Sequence, residues 1–208
     1  MTGGRSGIGA AIVAALEGEV EVVDIADGRD VSEPATWSAL EGPFDAAFLN
    51  AGIVTGEGDV ASLSDEAYRR VLAANVDGVV FGVRELAARL MPAGGSIVVT
   101  ASLAGLTEMP IDPVYALTKH ALVGFVRSVA PQLEARGIRI NALCPGIVDT
   151  PIIPQEVRAQ LGGLRPMDPA FVAEAALEAL RSGNTGEAWV VQPNRIERFE
   201  YPGVPGPR

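Results

Sequence analysis

The chain has 208 residues, 48% of them hydrophobic, and a formal net charge of −10. That length buries a full core as one domain, and the acidity argues against nucleic acid and anionic membrane surfaces as partners. One cysteine (Cys144) and one histidine (His120) leave no internal disulfide framework and no metal cluster, and they fit a reducing, cytoplasmic setting.

The pattern of apolar and turn residues predicts a helix over 6–17, a strand over 20–25, a short helix over 34–41 and a strand over 44–50. A long helix over 64–91, a strand over 96–101 and a second long helix over 112–136 follow. The last elements are a strand over 138–144, a helix over 169–181 and a strand over 187–192. Strands alternating with helices imply an α/β fold, a doubly wound parallel sheet in three α/β/α layers. Ligand then binds beyond the strand C-termini, where Asn50, Ser102 and Pro145 fall.

One domain covers 1–208. Within it 147–168, with prolines at 151, 154 and 166, reads as a loop closing over substrate, and 193–208 as a C-terminal tail. Pro131 bends the second long helix. Trp37, Phe44, Phe81 and Phe125 read as core or helix contacts. No apolar run of about 18 residues is present, so no membrane span is expected, and the first residues do not read as a signal peptide.

Chemistry begins at Thr2-Gly3-Gly4-Arg5-Ser6-Gly7-Ile8-Gly9, just before the helical run Ala10–Leu16. Glycines let the backbone turn sharply and approach a pyrophosphate, whose charge then sits at a helix N-terminus. With 24 glycines in the chain, such a turn also arises by chance. The next segment, Glu19-Val20-Glu21-Val22-Val23-Asp24, reads as a strand ending in an acid. A carboxylate about 20 residues beyond the glycines accepts hydrogen bonds from an adenosine ribose. Asp24 takes that place, with Asp27 nearby, and repels the extra phosphate of NADP. Arg5 points the other way, since a cation in the glycine loop could meet that phosphate. NAD is favoured over NADP.

Tyr115-Ala116-Leu117-Thr118-Lys119 carries the most information. Tyr and Lys four apart on a helix share a face. A phenol titrates near ~10, and bringing it to about 7 needs roughly 4 kcal/mol. An exposed ion pair contributes only about 0–1 kcal/mol, so the pair alone falls short. A second positive charge in a water-poor site, such as an oxidised nicotinamide ring, supplies the rest.

Taken together these motifs resemble the short-chain dehydrogenase/reductase family, a Rossmann-type fold, over nearly the whole chain. The matching residues are Thr2-Gly3 through Gly7-Ile8-Gly9, Asn50-Ala51-Gly52, Asn75, Ser102, Tyr115 with Lys119, and Pro145-Gly146 leading through Val148 to Thr150. Ser102–Leu106, Pro113–Tyr115, Lys119-His120 and Val123–Phe125 look most like the NAD-dependent 15-hydroxyprostaglandin dehydrogenase branch, a kinship that names no substrate. The resemblance implies that Tyr115 is the general base or acid and that Ser102 steadies the substrate oxygen. It implies that Lys119 lowers the Tyr115 pKa and holds the nicotinamide ribose, and that Asn75 holds a water relaying protons from Lys119. It also implies a homodimer or homotetramer paired through the long helices.

Two departures accompany the resemblance. Family members carry a central strand before the glycine turn, and only Met1 precedes Thr2 here, so a first strand is expected to be missing. Either the sequence is shortened or neighbouring strands close the gap. The stretch from Asp24 to Asn50 is also short, which compresses the third strand into Ile25–Val31, with Asp30 and Val31 as the adenine-flanking pair.

The expected function is an NAD-dependent oxidoreductase interconverting a secondary alcohol and a ketone on a small apolar substrate. The alternatives are a non-catalytic dinucleotide-binding or structural subunit and an NADP-dependent carbonyl reductase.

Overall fold

A computed structural model of the protein describes residues 1–153, 158 and 165–203. Five strands form one sheet in linear order: β1 (Ala46–Leu49), β2 (Gly95–Thr100), β3 (Ile138–Pro145), β4 (Ala188–Gln192) and β5 (Arg195–Arg198). The first four are parallel, and β5 returns antiparallel to β4.

Side chains alternate across the sheet as the two-residue strand period requires. Ile97 and Val99 of β2 join Ile140, Ala142 and Cys144 of β3 in one core, under α2 (Pro34–Ser38), α4 (Gly78–Glu85) and α5 (Pro113–Glu134), with α3 (Asp65–Leu72) packed against α5. Val98 and Leu143 point the other way, into a second core with α1 (Gly7–Ala15) and α6 (Pro169–Arg181). Both faces of a parallel sheet are thus covered, the arrangement its crossovers demand. Asn141, fully buried on the α6 side, is satisfied by the Ala179 and Asn184 carbonyls and the Glu187 amide.

Among the described residues, the segment expected as a strand over 20–25 forms a single bridge, from Val23 to Thr2. Thr2 bridges Val23 on one side and Leu49 on the other, both parallel. The Met1–Gly3 stretch therefore lies at the β1 edge of the sheet, between β1 and Val23. The third strand expected in Ile25–Val31 is absent: Ile25–Asp27 is a 3₁₀ turn capped by Asp24, and Gly28 leaves it at φ 73°.

The long helix expected over 64–91 is α3 and α4 joined and followed by wide π turns at Ala73–Asp77 and Leu86–Leu90. In the expected tail, β5 is an addition, reached through Pro193 and Asn194. Pro fixes φ at the first corner and Asn tolerates its φ of 61° at the second. The ends of the 147–168 segment are zipped by a Val148–Met167 bridge, while 154–157 and 159–164 lie outside the described residues.

Candidate active site

The glycine turn is fixed from within. The Thr2 hydroxyl accepts the amides of Asn50 and Ala51 at 2.9 and 3.0 Å, and the Asn50 side chain reaches the Thr2 and Gly3 carbonyls at 3.3 Å. A Cβ on Gly9 would lie 1.9 Å from the Gly3 carbonyl oxygen, so only glycine lets α1 start this close to the turn. Ser6 makes no side-chain bond into the first turn of α1, leaving the amides around Gly7, Ile8 and Gly9 available to an anion.

Asp24 is buried, and its oxygens accept the Arg5 and Ala26 amides at 2.9 and 3.0 Å. Arg5 turns outward and pairs with Asp27 at 2.9 Å. The Asp30 carboxylate accepts the Ser32 amide and hydroxyl, both at 2.8 Å. Val31 packs on Gly78, and its carbonyl takes the Trp37 indole N–H at 2.8 Å.

The catalytic candidates gather at the C-terminal ends of β2 and β3. β2 ends at Thr100, and Ser102 opens a 3₁₀ turn over Leu103–Gly105, accepting the Ala104 amide at 3.1 Å. α5 begins one loop later, with Pro113 in its first turn and the Asp112 carboxylate accepting the Tyr115 amide. Tyr115 and Lys119 face the same way, the ammonium lying 5.4 Å from the ring centroid. Lys119 is buried and donates to the Thr100 carbonyl at 2.9 Å. Burial pushes its amine down to about 8, with the Cys144 sulfur opposing.

The Tyr115 phenol is itself strongly shifted. Burial pushes the phenol up to about 12; the Ser102 hydroxyl opposes that rise, and the Asp112 charge adds to it. Desolvation outweighs every favourable neighbour the chain supplies.

Asn75 is held within the chain. It is fully buried in the first π turn, where its side-chain oxygen accepts the Ile53 amide at 2.8 Å. Its nitrogen donates to the Ile53 carbonyl at 2.9 Å and the Thr118 hydroxyl at 3.0 Å. Three bonds to the chain make it a clamp between the loop after β1 and α5. A Cβ on Gly52 would sit 3.2 Å from that Asn75 oxygen and 3.4 Å from the Lys119 nitrogen, which places Gly52 between the two.

Beyond β3, the Gly146 amide bonds the Val191 carbonyl at 2.9 Å, and Val148 is buried. Among the described residues the buried Thr150 hydroxyl has no partner, and its side chain lies where a Cβ on Gly7 would approach to 2.9 Å. This orphaned hydroxyl, the open first turn of α1 and the buried Asp24 together fit a dinucleotide. Cys144 lies deep in the core, where burial pushes its thiol up to about 12, so it is no nucleophile. His120 is exposed and bonds the Ala116 carbonyl of its own helix at 2.9 Å. Asp112 is the site residue that sequence reasoning missed; its place directly before Pro113 was the available N-cap signal.

A glycine turn beside the C-terminal end of β1, with a Tyr–Lys helix pair at the strand ends, defines a Rossmann-like, doubly wound α/β protein. Residues 5–179 match the family described as enoyl-(acyl carrier protein) reductase. The chain belongs to the short-chain dehydrogenase/reductase family. Over 69% of its length it is 36% identical to a 3beta-hydroxysteroid dehydrogenase of Mediterraneibacter gnavus, covering 54% of that protein. The chain spans about half the length of the first curated relatives it matches. Among solved structures, a 3-oxoacyl-[acyl-carrier protein] reductase with bound NAD from Brucella melitensis superposes with a TM-score of 0.75 at 31% identity, covering 91% of this chain and 87% of that one. A small-chain dehydrogenase in complex with NADPH gives a TM-score of 0.82 at 25% identity, covering 91% and 94%. Among the described residues, no helix is long and apolar enough to cross a membrane.

Proposed function

We propose that the chain is an oxidoreductase interconverting a secondary alcohol and a ketone on a small apolar substrate, with NAD as cofactor. The observation that carries this reading is the convergence of Ser102, Tyr115 and Lys119 beside the glycine turn. Gly3, Gly7, Gly9, Asp24, Asn50 and Thr150 would hold the dinucleotide, which when bound supplies the hydride acceptor or donor.

The chain's own residues manage the proton and the oxygen. Tyr115 as the phenolate takes the alcohol proton in oxidation, and as the phenol it gives a proton to the carbonyl oxygen in reduction. The Ser102 hydroxyl steadies charge developing on the substrate oxygen. Lys119 uses one of its three protons on Thr100, leaving two donors toward the ribose and the phenol. Asn75 and Thr118 hold α5 in register with the loop after β1.

NAD over NADP is supported by Asp24 and by Asp27, which occupies the Arg5 cation. The relative's name, a dehydrogenase of a hydroxysteroid, supports a secondary hydroxyl as the reacting group. The reading includes a homo-oligomer working in the cytoplasm.

Tyr115→Phe tests it. Turnover in an NAD-linked alcohol assay should fall by about 10²–10⁴ while NAD binding by calorimetry is kept. Undiminished turnover would remove Tyr115 from the acid–base role. Unlinked binding without any turnover in the parent chain would favour the non-catalytic alternative.

A further inference from the structure

Three loops leave the C-terminal ends of β1, β2 and β3, and the linear order of the sheet sets them side by side. Ser102 opens the middle one, so the loops over 50–64 and 146–153 flank the reacting centre. Asp112, buried at the end of the middle loop, accepts the Thr55 and Gly56 amides at 2.8 and 3.0 Å. A Cβ on Gly58 would lie 3.3 and 3.5 Å from the Ile111 and Pro110 carbonyl oxygens, so these two loops form one tight wall. The third loop stands on the other side of Ser102, whose hydroxyl donates to the Pro145 carbonyl at 3.5 Å. Leu103 would meet a Cβ on Gly146 there at 3.3 Å.

Both sides of this mouth leave apolar side chains in water. Ile111 is 55% exposed on the first wall, and Ile147 and Ile152 are 42% and 38% exposed on the third loop. An apolar body seated beside Ser102 and Tyr115 would cover them, the use that exposed apolar patches commonly have. The charges of the mouth have one sign. Loops 50–64, 101–112 and 146–153 hold Glu57, Asp59, Glu108, Asp112 and Asp149, and no lysine or arginine. Two cations approach from elsewhere among the described residues: Arg158 is paired with Asp149 at 2.6 Å, and Lys119 is buried on the Thr100 carbonyl. Arg165 stands two residues before the Val148–Met167 bridge, outside the three loops. Glu57, Asp59 and Glu108 enter none of the ion pairs among the described residues. Their own loops hold them instead: Glu57 accepts the Asp59 amide at 2.9 Å, Asp59 the Ala61 amide at 3.0 Å and Glu108 the Thr107 hydroxyl at 2.7 Å.

We infer that the substrate is an uncharged alcohol or ketone with an apolar body, and that carboxylated and phosphorylated ones are rejected; this rests on the oxidoreductase reading above. Ile111, Ile147 and Ile152 are its specificity-determining contacts, and Glu57, Asp59 and Glu108 repel anions from the rim. Two effects act together. Isoleucine walls offer an anionic group no hydrogen-bond partner in exchange for its water. The rim adds like-charge repulsion, felt over about 10 Å at 0.1 M salt. Rejection of the wrong ligand in this way sets specificity as much as attraction of the right one does.

The probes are three forms of 1-phenylethanol that carry a methyl ester, a carboxylate or a trimethylammonium group at the para position. Each is oxidised with NAD by the full 208-residue protein at low salt and at high salt. At low salt kcat/KM for the ester should exceed that for the carboxylate by at least about tenfold, and salt should raise the carboxylate's value alone. The ammonium form should fall nearer the ester than the carboxylate. Glu57→Gln combined with Glu108→Gln should narrow the ester-to-carboxylate ratio by at least about threefold, a change that lost stability would not produce. Ile111→Ser and Ile147→Ser should each raise KM for the ester by about five- to tenfold with NAD affinity kept, since neither side chain is buried. Equal use of ester and carboxylate at low salt overturns the inference and leaves the oxidoreductase reading standing. So does a gap that neither salt nor the glutamine pair changes, or a KM that both serine variants leave unmoved. No oxidation of any form, with NAD still bound, overturns that reading and this inference with it.

Discussion

The carboxylate of Asp112 accepts the Tyr115 amide at 2.9 Å and, on the same oxygen, the Thr55 hydroxyl at 2.6 Å. Its other oxygen takes the Thr55 and Gly56 amides at 2.8 and 3.0 Å. One buried carboxylate thus starts α5 three residues before Tyr115 and ties down the loop that follows β1. Asp112→Asn turns a donor toward two amides and should cost about 1–3 kcal/mol in denaturant unfolding. The same change removes a negative charge that adds to the burial-driven rise of the Tyr115 phenol. The acid limb of alcohol oxidation should therefore move to lower pH. An unmoved limb would leave Asp112 as a structural cap alone.

Lys119 is held down to about 8 by burial, against an ordinary 10.5. A lowered folded value means that folding favours the neutral amine. Its stability contribution is full above the unfolded value and is lost as pH falls through about 8. At neutral pH the charged amine is a burden, relieved only partly by Thr100. Lys119→Met should raise unfolding stability at pH near ~7 by about 1–3 kcal/mol while ending turnover. It should also flatten the rise in stability between about 8 and 10.5. Loss of stability at neutral pH would mean that the Thr100 bond outweighs the desolvation.

Two glycines should respond in opposite directions. Gly9→Ala drives a methyl into the Gly3 carbonyl and the Asn50 amide, so both stability and dinucleotide affinity should drop sharply. Gly124, exposed on α5 with nothing within 4 Å of a Cβ, should gain about 0.5–1 kcal/mol as alanine. Thermal unfolding with and without NAD reads both variants.

Cofactor choice rests on Arg5 and its partner. The Arg5–Asp27 pair is partly exposed, so breaking it costs little stability. Asp27→Asn frees the guanidinium beside the buried Asp24 and should tighten NADP binding while leaving NAD binding nearly unchanged. The double change with Asp24→Ser should invert the preference. Equal NADP affinity in the parent and both variants would take this region out of cofactor selection.

Much of the architecture is legible in the chain. Four of the five strands, the two long helices and α6 follow apolar spacing, and the Tyr115–Lys119 pair follows helical period alone. β5 escapes that reading because alternation over Arg195–Arg198 is weak, although Pro193-Asn194 is a turn signal. Segment 20–25 has the right residues for a strand, but a ladder needs a partner strand along its length, and among the described residues it bridges only Thr2.

By itself the sequence determined which residue types stand at which spacing, hence the element order, the glycine turn and the Ser102, Tyr115 and Lys119 set. These depend on interactions within a few residues. Tertiary structure alone decided that Asn75 would clamp Ile53 to Thr118, that Asp112 would join two loops, and that the Thr150 hydroxyl would be buried without a partner among the described residues. It also decided that Tyr115 would stand near 12 and Lys119 near 8. Desolvation is set by everything packed around a group, and residues distant in the chain supply most of that packing.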